Sequence, residues 1–82
     1  MNVVLDKYAL KALNALNEPI KSRIRVALYK LECEPPQGDI KRMQGSEDYR
    51  VRVGGYRILF KVRDDQIVVA DIAPRGQVYK GV

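Results

Sequence analysis

Histidine and tryptophan are both absent from this 82-residue sequence. Without histidine, the chain excludes Ser-His-Asp and Cys-His catalytic sets, most zinc sites and a conventional imidazole base. Any acid–base chemistry must therefore use tyrosine, lysine, arginine or carboxylate side chains. We accordingly predict no metal site and no cofactor.

Cysteine occurs once, at Cys33, so an internal disulfide is impossible and a reducing cytoplasm is the expected location. Cys33 is expected to be a small residue near a helix end, because no histidine is present to activate its thiol. No apolar run approaches the roughly 18 residues that would span a bilayer. The N-terminus gains an acid at Asp6, so we expect neither a signal peptide nor a membrane partner.

The positive charge is unevenly distributed along the chain. The net charge is +5 at pH 7. Residues 1–40 carry six basic and five acidic side chains (+1), whereas residues 41–82 carry nine and five (+4). This excess in the second half suggests a polyanionic partner.

The apolar pattern predicts an α+β fold in the order β-α-α-β-β-β, with residues 1–82 forming one domain. The predicted elements are a strand at 2–5, helices at 7–16 and 19–33, and strands at 48–53, 56–63 and 67–73. Pro35 and Pro36 end the helical half, and residues 39–46 are expected to form an irregular connection. The last three strands would form an antiparallel meander, with the helical hairpin packed on one face.

The stretch YRVRVGGYRILF, residues 49–60, places three arginines in a predicted hairpin. If Gly54-Gly55 is a two-residue turn, the numbers of residues facing each other across the hairpin sum to 109. Arg52 then lies directly opposite Arg57, with Arg50 on the same side of the sheet. Directly opposed like charges destabilise a sheet by a few tenths to about 1 kcal/mol, so this arrangement needs an explanation.

Lys61 falls on the same face as the three arginines, because side chains alternate along a strand. The acids Glu47-Asp48 and Asp64-Asp65 are expected to be poorly placed to neutralise this face. Asp71 would lie opposite Leu59 on this face if the second turn had three residues, and the sequence leaves a two-residue turn equally open. The face therefore either binds an anion or is simply solvated.

The tail at 74–82 adds two residues that suit nucleic-acid chemistry. Arg75 and Tyr79 are expected to reach the edge of the arginine-bearing face. A guanidinium can hold a phosphate with two hydrogen bonds, and a tyrosine can stack on a base or exchange a proton. Ordinary packing is the alternative role for Tyr79.

The pattern G-S-x-x-Y-R-V-R-x-G-x-Y-R-I-x-F at 45–60, an acidic turn, and P-R-x-x-V-Y at 74–79 resemble the RelE toxins of toxin–antitoxin pairs. The resemblance covers nearly the whole chain. It implies a ribosome-dependent endoribonuclease that cleaves mRNA in the ribosomal A site. The attacking group would be the 2′-hydroxyl of the RNA, and the products would be a 2′,3′-cyclic phosphate and a 5′-hydroxyl.

The resemblance assigns the family's catalytic set to Arg50, Arg52, Arg57, Arg75 and Tyr79. Some family members have lysine at the positions of Arg50 and Arg52. Lysine can lose its proton but arginine does not, so Arg52 is a poor general base. The three hairpin arginines would orient the scissile phosphate and stabilise its transition state. Arg75 would support the leaving 5′-oxygen, and Tyr79 would position or stack the RNA base. Further RNA-binding residues are expected among the other basic side chains, namely Lys41, Arg42, Lys61 and Lys80.

The resemblance also implies partners: the ribosome, mRNA, and a RelB-like antitoxin that would wrap the toxin with an acidic or amphipathic segment. Two alternatives share the fold. ParE-type toxins inhibit DNA gyrase and do not cleave RNA, and an inactive toxin-fold protein would act only as a binding or repressor module. The basic set favours the RelE-like hypothesis over the ParE-like one.

Overall fold

The computed structural model describes residues 1–75 of the chain. Two helices and five strands follow in the order β1 Asn2–Leu5, α1 Lys7–Ala15, α2 Ile20–Leu31, β2 Asp39–Arg42, β3 Tyr49–Val53, β4 Tyr56–Arg63 and β5 Gln66–Pro74. The strands form one sheet in the order β1-β5-β4-β3-β2. Strand β1 runs parallel to β5, and the other neighbouring strands are antiparallel. The α+β class, the meander and the helical hairpin are thus confirmed.

The irregular connection predicted for residues 39–46 is wrong, because Asp39–Arg42 forms strand β2 at one edge of the sheet. This short segment has one apolar residue, Ile40, which packs against the core. Charged side chains are common on edge strands, since they discourage further strand pairing. A four-residue strand of this composition has no alternation from which it could be recognised in the sequence. The sheet is also mixed, because β1 joins it in parallel.

Each helix begins at a side chain that accepts hydrogen bonds from its first turn. The Asp6 carboxylate accepts from the Ala9 N–H at 2.9 Å, as expected for an N-cap. At α2, Pro19 is the N-cap residue, and the Glu18 carboxylate accepts from both the N–H and the hydroxyl of Ser22. These contacts satisfy backbone donors that have no partner within a helix.

The core lies between the helices and one face of the sheet. From the helices it contains Ala9, Leu13, Ile24, Leu28 and Leu31, and from the sheet Val51, Ile58, Phe60, Ile67, Val69 and Ile72. Both helices therefore contribute an apolar side to the core, although Leu10 of α1 is exposed. Because side chains alternate along strands, the neighbours of these sheet residues point to the opposite face.

The second hairpin turn has two residues, and a bulge on β5 supplies the extra residue. Asp64-Asp65 adopts left-handed backbone angles (φ 51° and 61°), which aspartate tolerates better than most residues. Further along the hairpin the register shifts, so that Phe60 pairs with Val69 but Leu59 pairs with Asp71. Asp71 therefore lies opposite Leu59, reached through a bulge and not through a three-residue turn.

Candidate functional site

The sheet face turned away from the helices is called the basic face below, and it is defined by Lys41, Arg50, Arg52, Arg57 and Lys61. The Gly54-Gly55 turn sets its register, with φ +58° at Gly54. Arg52 lies directly opposite Arg57, as the sequence predicts. Lys41 on β2 lies directly opposite Arg50, so the face continues across three strands.

Arg57 differs from the other cations of the basic face in its burial. Its side chain is only 8% exposed, and its Nε and Nη1 atoms are shielded from solvent. Arg50 is half-buried and Arg52 is exposed. Arg57 sits on the central strand β4 beside the small Ala73 of β5. A guanidinium stays charged when buried, so Arg57 supplies a fixed positive charge beneath the more exposed Arg52.

Three acids lie on or beside the basic face, which makes it less purely basic than predicted. Asp39 on β2 is directly opposite Arg52, a placement missed because β2 was missed. Asp48, judged poorly placed from the sequence, lies 3.7 Å from the Lys61 amine. Asp71 accepts a hydrogen bond from the Ile72 N–H at 2.9 Å.

Lys41 and Arg42 are placed differently although they are neighbours in sequence. Lys41 shares the basic face with Arg50, whereas Arg42 pairs with Tyr49 and its Nε donates to the Ser46 carbonyl at 3.2 Å. Lys41 and Arg42 nevertheless line the same cavity of about 420 Å³, together with Met43, Gln44 and Arg50. Met43 and Gln44 were not predicted as site residues; their only signal in the sequence is their position directly after two basic residues.

Arg75 lies at the turn end of the basic face. Its backbone N–H donates to the Gly55 carbonyl at 2.9 Å, which holds the end of β5 beside the diglycine turn. Its side chain is exposed. Tyr79 and Lys80 lie outside the described residues. The structure therefore gives positions for four of the five predicted catalytic residues, namely Arg50, Arg52, Arg57 and Arg75.

Two further features of residues 1–75 bear on the chemistry. They contain no cluster of three or more cysteine or acidic side chains that could hold a metal ion. None of the helices in this part of the chain has the length and apolar character needed to cross a membrane.

The chain is similar to known toxins over almost its whole length. A family model described as the ParE toxin of type II toxin–antitoxin systems matches residues 3–79. Toxin RelE3 of Methanocaldococcus jannaschii is 31% identical over 86 residues, which cover 96% of each chain.

Solved structures show the same relationship. The RelB–RelE antitoxin–toxin complex of Methanococcus jannaschii contains a chain that matches with a TM-score of 0.77 at 28% identity, covering 93% of this chain and 94% of that one. The archaeal RelE–RelB complex of Pyrococcus horikoshii OT3 gives a TM-score of 0.76 at 30% identity, covering 93% and 96%. This chain therefore belongs to the RelE/ParE superfamily of toxins from type II toxin–antitoxin systems.

Proposed function

We propose that this toxin is an endoribonuclease that cleaves mRNA in the ribosomal A site and so inhibits translation. The observation that carries the proposal is the register of the β3–β4 hairpin, which sets Arg52 against Arg57 with Arg50 on the same face. Such a cluster of guanidinium groups suits a phosphate that gains charge in its transition state. The toxin would act in the cytoplasm, as one domain over residues 1–82.

The proposed reaction uses a nucleophile from the RNA itself. The 2′-oxygen forms a bond to the adjacent phosphorus, and the bond from phosphorus to the 5′-oxygen breaks. The proton of the 2′-hydroxyl leaves to a base, and the 5′-oxygen takes up a proton. The products are a 2′,3′-cyclic phosphate and a 5′-hydroxyl end.

The basic residues have separate roles in this proposal. Arg50 and Arg52 orient the scissile phosphate, while the buried Arg57 stabilises the charge that develops on its oxygens. Arg75 supports the leaving 5′-oxygen, and Tyr79 positions or stacks a base. Arginine cannot take the proton, so none of the hairpin arginines is the general base. Lys41, Arg42, Lys61 and Lys80 would contact the RNA outside the reacting centre, with the Lys61 contribution reduced by its ion pair to Asp48.

We also propose a RelB-like antitoxin as the protein partner, since the two similar archaeal structures are complexes of RelE with RelB. An acidic or amphipathic antitoxin segment would neutralise the basic face or hold the toxin away from the ribosome. Charge complementarity of this kind favours rapid and specific association.

A ParE-like action on DNA gyrase is the second candidate, because the matching family model is described as a ParE toxin. The arginine set on the basic face favours RNA cleavage over this alternative. Gyrase inhibition would require no phosphate-binding cluster of this kind.

A translation reaction followed by primer extension tests the proposal. Wild-type protein should produce cuts at codon positions of ribosome-bound mRNA, and Arg75→Ala should abolish them. Arg63→Ala is the matched control, because Arg63 is an exposed arginine at the far end of β4. Placing deoxyribose at the cleaved position should also prevent cleavage. Intact mRNA together with inhibited gyrase supercoiling would instead support the ParE-like function.

A further inference from the structure

Neither helix contains an acidic residue, although together they carry six cationic side chains. Five of these cations are exposed, and they define the surface called the helix face below: Lys7, Lys11, Arg23, Arg25 and Lys30. The core separates the helices from the sheet, but Arg23 and Lys30 border a cavity that Arg52 of the basic face also lines.

The acids of the helical half are held at the helix ends. Three of them accept hydrogen bonds from backbone N–H groups and a fourth contacts the N-terminal amine; these are Asp6, Glu18, Glu32 and Glu34. Within residues 1–75, neither of the two ion pairs involves a cation of the helices. The net charge of only +1 over residues 1–40 therefore understates how positive the exposed sides of the two helices are.

This arrangement of cations disfavours the helices themselves. Lys7 and Lys11 are four residues apart on α1, as are Lys21 and Arg25 on α2, and like charges at this spacing repel each other. Lys7 and Lys21 also lie in first helical turns, where the helix dipole favours negative charge. Local features that oppose stability are typical of functional surfaces.

We propose that the helix face binds the phosphate backbone of structured RNA. Lysine and arginine side chains spread over a surface supply most of the affinity of proteins for nucleic-acid backbones. Two exposed tyrosines, Tyr8 (67% exposed) and Tyr29 (70%), can add stacking or hydrogen bonds to bases and riboses. In the setting of the proposed function, on which this part rests, the structured RNA is ribosomal RNA and mRNA occupies the basic face.

The helix face suits RNA better than it suits a protein segment. Its exposed large aliphatic residues are Leu10 and Val26, one on each helix, which is little apolar area for a stable protein interface. An apolar cavity of about 460 Å³ lies at one border of the helix face, between α2 and β3, where Arg23 and Lys30 line it together with Val51. That cavity is the more suitable place for an amphipathic partner segment.

The test uses the full chain carrying Lys7→Gln, Lys11→Gln and Arg25→Gln together, and a fluorescent RNA hairpin as the probe. We expect the affinity for the hairpin to fall by about tenfold or more at low salt. The slope of log affinity against log salt should decrease by about 3, one for each lost phosphate contact. The melting temperature should stay close to the wild-type value, because the lost like-charge repulsion offsets the lost attraction between Arg25 and Glu18. If these residues mattered only for folding, a loss of affinity would be accompanied by a lower melting temperature.

Two single variants make the test specific. Lys11→Gln should weaken hairpin binding, whereas Arg63→Gln removes the same charge beside the acidic Asp64-Asp65 turn and should have little effect. Asn14→Lys adds a cation three residues after Lys11, at an exposed position of α1, and should tighten binding.

The outcomes separate this inference from the proposed function. If wild-type protein binds the hairpin through the helix cations but never cleaves mRNA, the proposed function fails and the helix face still binds RNA. The inference is overturned if the triple variant keeps wild-type affinity and salt slope. It is also overturned if that variant loses affinity only for a co-encoded antitoxin, because the helix face would then be a protein interface.

Discussion

The two sides of this small molecule are both basic, but their charges are arranged in different ways. On the basic face, backbone register forces Arg52 against Arg57, one guanidinium is buried, and acids lie among the cations. On the helix face the cations are exposed and neither helix contains an acid. The first arrangement suits a reacting phosphate held in one position, and the second suits a long backbone held by charge alone.

The contrast shows why net charge over a segment is a poor guide to a surface. Residues 41–82 have the larger excess, +4 against +1, yet Asp39, Asp48 and Asp71 reduce the charge of the basic face. Of the five acids in residues 1–40, Asp39 lies on the basic face and the other four lie at the helix ends. The segment with the smaller net charge therefore presents the surface with fewer acids.

Arg57→Met should produce the largest effect. Methionine can fill the buried space beside Ala73, so the fold should persist, while the fixed charge of the proposed site is lost. We expect ribosome-dependent cleavage to fall by about 100- to 1,000-fold, the usual consequence of removing one preorganised electrostatic group. Single-turnover primer extension measures this, with Arg63→Met as the control on the same strand. Cleavage at the wild-type rate would show that the buried guanidinium of Arg57 does not contribute to the reaction.

Asp39→Asn should have a smaller effect in the opposite direction. The substitution removes the acid opposite Arg52 without changing the shape of the side chain, so the basic face should bind single-stranded RNA about two- to fivefold more tightly. Fluorescence anisotropy with a short oligoribonucleotide measures the change. Asp64→Asn is the matched control, because it makes the same charge change in the far turn. Equal tightening by both variants would assign the effect to net charge alone.

Glu18→Gln should give the smallest effect, and one that depends on pH. The pKa of Glu18 is below its usual value of 4.5, because its carboxylate accepts hydrogen bonds from Ser22 and lies near Arg25 and Lys21. A lowered pKa stabilises the fold above about pH 4.5, and this contribution is lost as pH falls through the folded-state pKa.

Thermal melts at pH 7 and pH 3 check this expectation. The wild-type protein should melt at a slightly higher temperature than Glu18→Gln at pH 7, and the difference should shrink at pH 3. A difference that grew toward low pH would show that Glu18 does not act as an anionic cap of α2.

The sequence predicted those features that depend on short-range rules. The diglycine turn fixed the pairing of Arg52 with Arg57, and the capping residue Asp6 marked the start of α1. Apolar spacing placed both helices and strands β1, β3, β4 and β5 to within a few residues. These rules involve neighbouring residues, so a single sequence contains them.

The missed features depend on contacts between distant segments. Strand β2 forms because β3 offers it a partner, and its own residues Asp39–Arg42 give no sign of this. The contact of Asp48 with Lys61 is different, because it follows the hairpin rule: 48 and 61 also sum to 109, so the sequence does contain this pair. The bulge did leave a trace in the sequence: the buried residues Ile67 and Val69 are two apart, but the next, Ile72, is three further on. A change of spacing inside a strand predicts a bulge.

That bulge has a consequence for how the strand tolerates the loss of a residue. Because Phe60 pairs with Val69 and Leu59 with Asp71, Ala70 is the extra residue of β5. Deleting Ala70 would leave a regular ladder in which Asp71 stays on the basic face and Ile72 stays in the core. A deletion in the middle of a strand normally turns every following side chain to the wrong face. At this position the gene could lose a codon and the sheet would keep both of its surfaces.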